Sequence, residues 1–227
     1  VLELSSFQLD GMFRFRAHIG VLMNITPDHL DRYGHCFQNY VDSKMRITQN
    51  QNSRDYFVYS GDDEVIWQQL PRYDLRMKQL PFAAKNAVAS GAGDAFLCDG
   101  KFTAAVGKAS VEIDTAKMQL KGLHNAYNAM AAALATLAAG VAPASIRRSI
   151  YGFAPVCHRL EPVRESGGVL WINDSKATNV DSVYYALESM TRPVVWIAGG
   201  TDKGNDYEPL KAFARAKVHL SLIHISE

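Results

Sequence analysis

The run HIGVLMNIT, His18 to Thr26, constrains the fold more than any other stretch: it is almost unbroken in apolar residues and stops at Pro27. A strand buried on one face alternates apolar with polar residues. A continuous run belongs to a strand covered on both faces, the situation of a parallel sheet between helices. The neighbouring segments supply such helices. CFQNYVDSKMRITQN carries Phe37, Tyr40, Val41, Met45 and Ile47 near one helical face, DYFVYS reads as a short strand, and DDEVIWQQL reads as a helix opened by acids. FLCDGKFTAAV reads as a hairpin turned at Asp99-Gly100. The Ala-rich HNAYNAMAAALATLAAG is the longest helix signal, stopped by Gly140, and a second helix starts at Pro143. The opening VLEL reads as a buried strand interrupted by a carboxylate, Glu3. Together these patterns give an α/β architecture.

After YGFAPVCHRLEPV the rhythm restarts, with VLWINDS, TNVDSVYYALESM, RPVVWIAGG, DYEPLKAFARAK and VHLSLI alternating strand and helix. That βαβαβ order is of the doubly wound type. A boundary at Pro155 divides the chain into domains over 1–154 and 155–227. The second is short for its type, so the chain is expected to be a fragment.

Charge and cysteine content narrow the function. Lys and Arg number 24 against 23 Asp and Glu, so no net field draws nucleic acid or an anionic membrane. Cys36, Cys98 and Cys157 are scattered without a CxxC pair, which fits a reducing cytoplasmic compartment. No apolar run approaches the ~18 residues of a membrane span.

Several polar groups follow the strand-like runs, where open α/β sheets bind ligands. Glu3 there could hold a hard cation such as Mg²⁺, although alone it reads more simply as an exposed strand-end residue. Pro27 is followed by Asp28, His29, Asp31 and Arg32, and His29 could ligate metal, touch phosphate or cap a helix. If both strands share a sheet, Glu3 and His29 come near each other. Lys44 stands on a helix of packing residues, and composition gives no reason to single it out. Asn125 and Asn128, three apart on one helical face, could read an adenine edge or serve as N-terminal caps. Asp174, Ser175, Lys176, Thr178 and Asn179 form a strand-to-helix turn suited to an anion, or ordinary capping. Gly199, Gly200 and Gly204 with Lys203 repeat the theme, and Arg159 could reach a phosphate or form an interdomain salt bridge. No GxxxxGK[ST], GxSxG, HExxH or EF-hand pattern is present in these residues.

Taken in order, LELSSFQL, NITPDHLDRYG, SKMRIT, GLHNAYNAMAA, HRLEPV, WINDSKATN and GGTDKG closely resemble the bacterial Mur ligases, in the wording of members that add D-glutamate. The resemblance runs over almost the whole chain. It implies the later part of a P-loop-type central ATPase domain, followed by part of a Rossmann-like C-terminal domain that binds the incoming amino acid. The P-loop and a UDP-binding domain would lie upstream of Val1. The implied reaction is ATP-dependent amide ligation of D-glutamate to UDP-N-acetylmuramoyl-L-alanine (UDP-MurNAc-L-Ala) through an acyl phosphate, in peptidoglycan precursor synthesis. It implies ATP, Mg²⁺ at two sites and a carbamylated Lys44.

Residue by residue, the match makes Glu3 a Mg²⁺-site carboxylate, His29 the ligand of the second Mg²⁺, and Lys44 the lysine whose carbamate lies near the metal. Asn125 and Asn128 match ATP-binding asparagines, and Arg159 an interdomain arginine that contacts nucleotide phosphate. Asp174 and Lys176 match groups that close over ATP. Thr178 and Lys203 match positions that hold D-glutamate, and Ser5 and Gln8 would face the muramoyl substrate. The partners implied are these small molecules, with no nucleic acid and no membrane, and the protein is expected to be monomeric and cytoplasmic. The tail LIHISE departs from the family pattern. The rival readings are a related Mur or folylpolyglutamate-type ligase using another amino acid, and a non-catalytic nucleotide-binding protein.

Overall fold

The structure is a computed structural model that describes residues 1–84, 94–154, 156–200 and 206–225. It divides into two compact units, Val1–Phe153 and Ala154–Glu227.

The first unit opens on a short helix rather than a strand: α1 spans Ser6–Asp10, and residues 1–5 carry no strand. The reason is local. Ser5 and Gln8 form a capping box, the Ser5 hydroxyl accepting from the Gln8 N–H while the Gln8 side chain accepts from the Ser5 N–H. The S-x-x-Q spacing that builds it stands in the sequence, but the apolar VLEL outweighed it.

The elements that follow are β1 (Ile19–Leu22), α2 (Phe37–Met45), β2 (Tyr56–Ser60), α3 (Glu64–Gln69), β3 (Lys78–Ala83), β4 (Ala95–Cys98), β5 (Lys101–Val106), β6 (Ala109–Asp114), α4 (Leu123–Ala138) and α5 (Pro143–Gly152). The six strands make one sheet in sequence order, parallel from β1 to β4 and antiparallel from β4 to β6. Phe57, Val58 and Tyr59 on β2 are all buried but supply two different clusters. Val58 joins Phe82, Phe102, Ile113, Met130 and Leu134, where α4 packs. Phe57 and Tyr59 join Leu22, Tyr40, Met45 and Ile66, where α2 and α3 pack. Apolar side chains are thus removed from water on both faces, as the continuous runs require.

The strand expected over His18–Thr26 is shorter than its apolar run. Its ladder ends at Leu22, yet Ile25 is 2% exposed and its N–H donates to Asp63 Oδ2 at 3.0 Å. Asp63 also caps α3 through the Ile66 N–H, so one carboxylate anchors two elements. The hairpin turns where the sequence places it, with φ of 48° at Asp99 and 74° at Gly100. Two strands of the first unit went unread, β3 and β6. The β3–β4 ladder begins at Phe82, just past Pro81, a residue that argues against an interior strand.

The second unit contains β7 (Glu161–Ser166), β8 (Val169–Asn173), α6 (Val180–Ser189), β9 (Val194–Gly200), α7 (Lys211–Lys217) and β10 (Val218–Ile225). The order from β8 to β10 is the expected alternation, and β9 pairs with β10 in parallel. The laddered partner of β8 is β7, across an unforeseen hairpin turned at Gly167-Gly168, where φ is 58° and 77°. A two-residue turn makes that local pairing entropically cheap.

Candidate active site

Three short elements of the first unit converge around the turn after β1. Helix α1 is fixed to α2 by side chains reaching its backbone: Ser43 Oγ donates to the Ser6 carbonyl at 2.8 Å, and Arg46 donates to the carbonyls of Leu9 and Met12. The Tyr33 hydroxyl donates to Asp10 Oδ2, joining the 3₁₀ turn Leu30–Tyr33 to the same platform. The tie from Ile25 to Asp63 delivers the chain to Pro27. Past it, His29 adopts a left-handed conformation, φ 52° and ψ 31°, with its N–H bonded to Asp28 Oδ1. Its Nε2 lies 3.5 Å from Asp28 Oδ2. A non-glycine residue held at positive φ stores strain that the surroundings must support.

The His29 imidazole meets the ring of Phe7 edge-on at 5.3 Å. Phe7 stacks on Tyr33, Tyr33 meets Tyr40 edge-on, and Lys44 Nζ lies 5.4 Å from the Tyr40 ring centroid. Lys44 is one helical turn beyond Tyr40 on α2. Burial pulls the Lys44 pKa down from the ordinary lysine value, and the negative charge of Asp28 partly restores it. Burial pushes the Tyr40 hydroxyl up to about 12, with Asp28 adding to the effect, so Tyr40 is a neutral phenol at neutral pH. Asp28 therefore acts on His29, Lys44 and Tyr40 together.

Among the described residues no three His, Cys, Asp or Glu side chains form a ready metal cage. A lysine is not counted in such a set. Converted to a carbamate, Lys44 would add an oxygen donor to the Asp28 carboxylate and the His29 imidazole, a set that fits a divalent cation in kind. Glu3 is exposed and has no hydrogen-bond or ion-pair partner among the described residues. The Ser5 hydroxyl and the Gln8 side-chain oxygen are engaged with each other in the α1 cap.

Asn125 lies in the first turn of α4, where its Nδ2 donates to the Lys121 carbonyl at 2.8 Å, and Asn128 is exposed one turn on. Neither is the N-cap, which is Gly122 at φ 96°. Beside them the Tyr127 hydroxyl donates to Asp62 Oδ2. A separate open groove of about 870 Å³ runs along α2 past Asp42, Arg46, Tyr73 and Arg76, and none of the sequence-predicted residues lines it. In it Arg76 pairs with Asp74 and Arg72 with Asp42.

In the second unit the turn after β8 is laced to the segment before β7. The Asp174 carboxylate accepts from the Leu160 N–H at 3.0 Å, Asn173 Nδ2 bonds the His158 ring, and the Lys176 N–H donates to the His158 carbonyl. Arg159 lies within that segment, exposed and without an ion pair among the described residues. Lys176 and Thr178 are exposed, and α6 is capped by Asn179 rather than by Ser175 or Thr178. Lys203 lies outside the described residues.

Comparison with known proteins matches residues 1–136 to the Mur ligase middle domain. The chain belongs to the Mur ligase family. Two relatives, both UDP-N-acetylmuramoylalanine–D-glutamate ligases, come from Bacteroides thetaiotaomicron and Christiangramia forsetii. The first is 48% identical over 219 residues and the second 45% over 218, in each case covering 96% of this chain and 48% of the relative. This Mur ligase chain thus spans about half the length of the curated relatives it matches. Among solved structures, MurF from Acinetobacter baumannii has a TM-score of 0.64 at 20% identity, covering 92% of this chain and 46% of that one. MurF from Thermotoga maritima, solved with ADP, has a TM-score of 0.60 at 16% identity, covering 92% and 58%. These likenesses establish a shared fold.

Within this Mur ligase chain, sequence reasoning named His29 and Lys44 but passed over what arranges them. Asp28 was visible as the neighbour of His29, and Tyr40 stands at i−4 from Lys44, a spacing that signals contact. Phe7 carried no signal, because its contacts come from a turn distant in sequence.

Proposed function

We propose that this chain is the central ATP-binding and amino-acid-binding portion, 1–154 and 155–227, of a ligase that joins D-glutamate to UDP-MurNAc-L-Ala at the expense of ATP. The observation that carries the reading is the Asp28–His29–Lys44 neighbourhood, in a chain 48% identical to a relative with that named activity.

The chemistry has two steps. The alanyl carboxylate attacks the γ-phosphorus of ATP and ADP leaves. The D-glutamate amine then attacks the acyl carbon, phosphate departs with the C–O bond electrons, and the amine gives up its proton. Activation is needed because a free carboxylate is a poor electrophile. Negative charge accumulates on the phosphoryl group and on the tetrahedral acyl centre, and fixed positive charge stabilises both.

In this reading His29 and a carbamylated Lys44 hold one Mg²⁺, with Asp28 beside them, and Glu3 serves a second. Bound there, Mg²⁺ supplies charge neutralisation on the transferring phosphoryl oxygens. Carbamylation requires the free amine to attack CO₂ and release a proton, and the lowered pKa of Lys44 makes that amine more available. Asn125 and Asn128 contact the nucleotide, as do Arg159, Asp174 and Lys176 of the second unit. Thr178 and Lys203 hold D-glutamate, and Ser5 and Gln8 lie toward the muramoyl group. The protein works as a cytoplasmic monomer.

The test is to express the full reading frame that encodes this chain and supply ATP, Mg²⁺, UDP-MurNAc-L-Ala and labelled D-glutamate. One UDP-MurNAc-L-Ala-D-Glu should form per phosphate released. Preference for L-glutamate or diaminopimelate would move the protein to a related ligase, and absence of product with any acceptor would favour the non-catalytic reading.

A further inference from the structure

The aromatic contacts around Phe7 form a chain from one proposed metal-binding group to the other. Starting at the His29 imidazole, successive contacts run to Phe7 at 5.3 Å, Tyr33 at 6.0 Å, Tyr40 at 5.4 Å and Lys44 Nζ at 5.4 Å. Tyr33 and Tyr40 are buried, whereas Phe7 is 37% exposed. A phenyl ring at such a surface is ordinarily free to turn. This one has three neighbours, the His29 imidazole, Tyr33 stacked at an interplanar angle of 7°, and the Arg32 guanidinium 4.9 Å from its centroid. Its backbone is equally fixed, because α1 is capped by Ser5 and Gln8 and tied to α2 through Ser43 and Arg46. His29 has the opposite character. It sits in a left-handed backbone conformation with its side chain about half exposed, and the ion-pair partner of its imidazole is the adjacent Asp28. Phe7 is the ring contact that comes to it from a distant element.

We propose that Phe7 is a positioning residue, whose ring selects the orientation in which the His29 imidazole binds a divalent cation. This rests on the reading of His29 as a metal ligand. An imidazole confined between an aromatic ring and a carboxylate loses little freedom on taking up a cation, so preorganisation appears as affinity. An edge-to-face contact is weak individually, and its loss should lower affinity by about threefold to tenfold. A side chain with equal hydrophobic character but no ring cannot replace it.

The experiment is histidine-selective NMR of the 227-residue chain, with the signal among its seven histidines assigned by His29→Gln and Mn²⁺ as the probe. In the wild-type chain the His29 ring protons should show an aromatic ring-current shift and should broaden as Mn²⁺ is added. In Phe7→Leu the ring-current shift should disappear and the Mn²⁺ concentration for half-broadening should rise about threefold to tenfold. Phe7→Tyr should restore both to within about twofold, since it keeps the aromatic face. Loss in both variants, or an unchanged Mn²⁺ response in Phe7→Leu, overturns the positioning role. If the wild-type signal carries the ring-current shift but ignores Mn²⁺, the metal reading of His29 fails and the positioning role falls with it, leaving the contact as packing. The α1 amide signals report folding independently, so a variant that merely unfolds is recognised and replaced by Phe7→Met.

Discussion

The Ser43 hydroxyl donates a 2.8 Å hydrogen bond to the Ser6 carbonyl, and both residues are 3% exposed. Through this contact α2, which carries Lys44, grips α1, which carries Phe7. The Tyr33 hydroxyl completes the junction, its single hydrogen directed at Asp10 Oδ2 at 3.0 Å with Ser43 Oγ as the second, longer acceptor at 3.3 Å. Ser43→Ala leaves a buried carbonyl without its donor, a loss of about 1–2 kcal/mol. Amide exchange at Leu9, whose N–H closes the α1 turn onto the Ser5 carbonyl, should accelerate about fivefold to thirtyfold. An unchanged Leu9 rate would mean that Arg46 and the Tyr33–Asp10 bond suffice to hold the helix.

Lys44 should be carbamylated more readily than a surface lysine, because burial lowers its pKa and leaves more free amine at neutral pH. Labelled with ¹³C-bicarbonate, the chain should give a carbamate signal that disappears in Lys44→Arg. Exposed Lys101 is the internal comparison and should contribute nothing resolvable. In the full reading frame, Lys44→Ala should reduce ligation by on the order of 100-fold, the scale of a lost electrostatic contact at the reacting group. Short carboxylic acids should return part of that activity. Full activity without them would remove Lys44 from the mechanism.

How far the sequence can be read depends on whether the deciding interaction is local. Strand β2 and helix α4 were legible because their apolar periodicity is itself the cause of their burial. The Asp99-Gly100 turn was legible because a two-residue hairpin needs positive φ and these residues accept it. Strand β3 was hidden by Pro81, which is tolerated where the ladder to β4 starts just beyond it. Helix α1 was misread because four apolar or acidic residues outweighed a two-residue capping box. At the candidate site the residue types around His29 and Lys44 were visible, and family resemblance assigned their roles. The desolvation of Lys44 and the ring contact to His29 depend on α1, the Pro27 turn and α2 meeting in space, which no local pattern encodes.

Asp55 makes the first unit sensitive to acid. Its side chain is fully buried, which by itself raises its pKa, but bonds from the His18 ring and the Asn52 N–H, with the nearby charge of Arg16, together hold the carboxyl below its ordinary value. Because the folded pKa lies below the unfolded one, the stability contributed is complete above the unfolded value of about 3.9 and is lost as pH falls through the folded value. Unfolding midpoints measured from pH 6 downward should therefore drop below about pH 4. Asp55→Asn should be less stable at pH 6 and show a flatter acid limb. An equally steep limb in that variant would assign the acid sensitivity to other carboxylates.

In the second unit, two strained positions flank Arg159, and a carboxylate holds the second of them. His158 and Leu160 both adopt positive φ, 66° and 45°, and Asp174 holds the Leu160 N–H from across the β8 turn. Arg159 lies between them, so the direction in which its backbone leaves the chain follows from that restraint. Asp174→Ala removes the acceptor and should release the segment toward ordinary negative φ, a conformation that non-glycine residues prefer. The Leu160 amide should then exchange about fivefold to thirtyfold faster, while amides of the β9–β10 pair keep their rates, because that sheet does not share the bond. If Leu160 and the β9–β10 amides accelerate together, Asp174 supports the whole unit rather than the Arg159 segment. If neither changes, the Asn173–His158 and Lys176–His158 bonds are sufficient to hold the strained backbone without it.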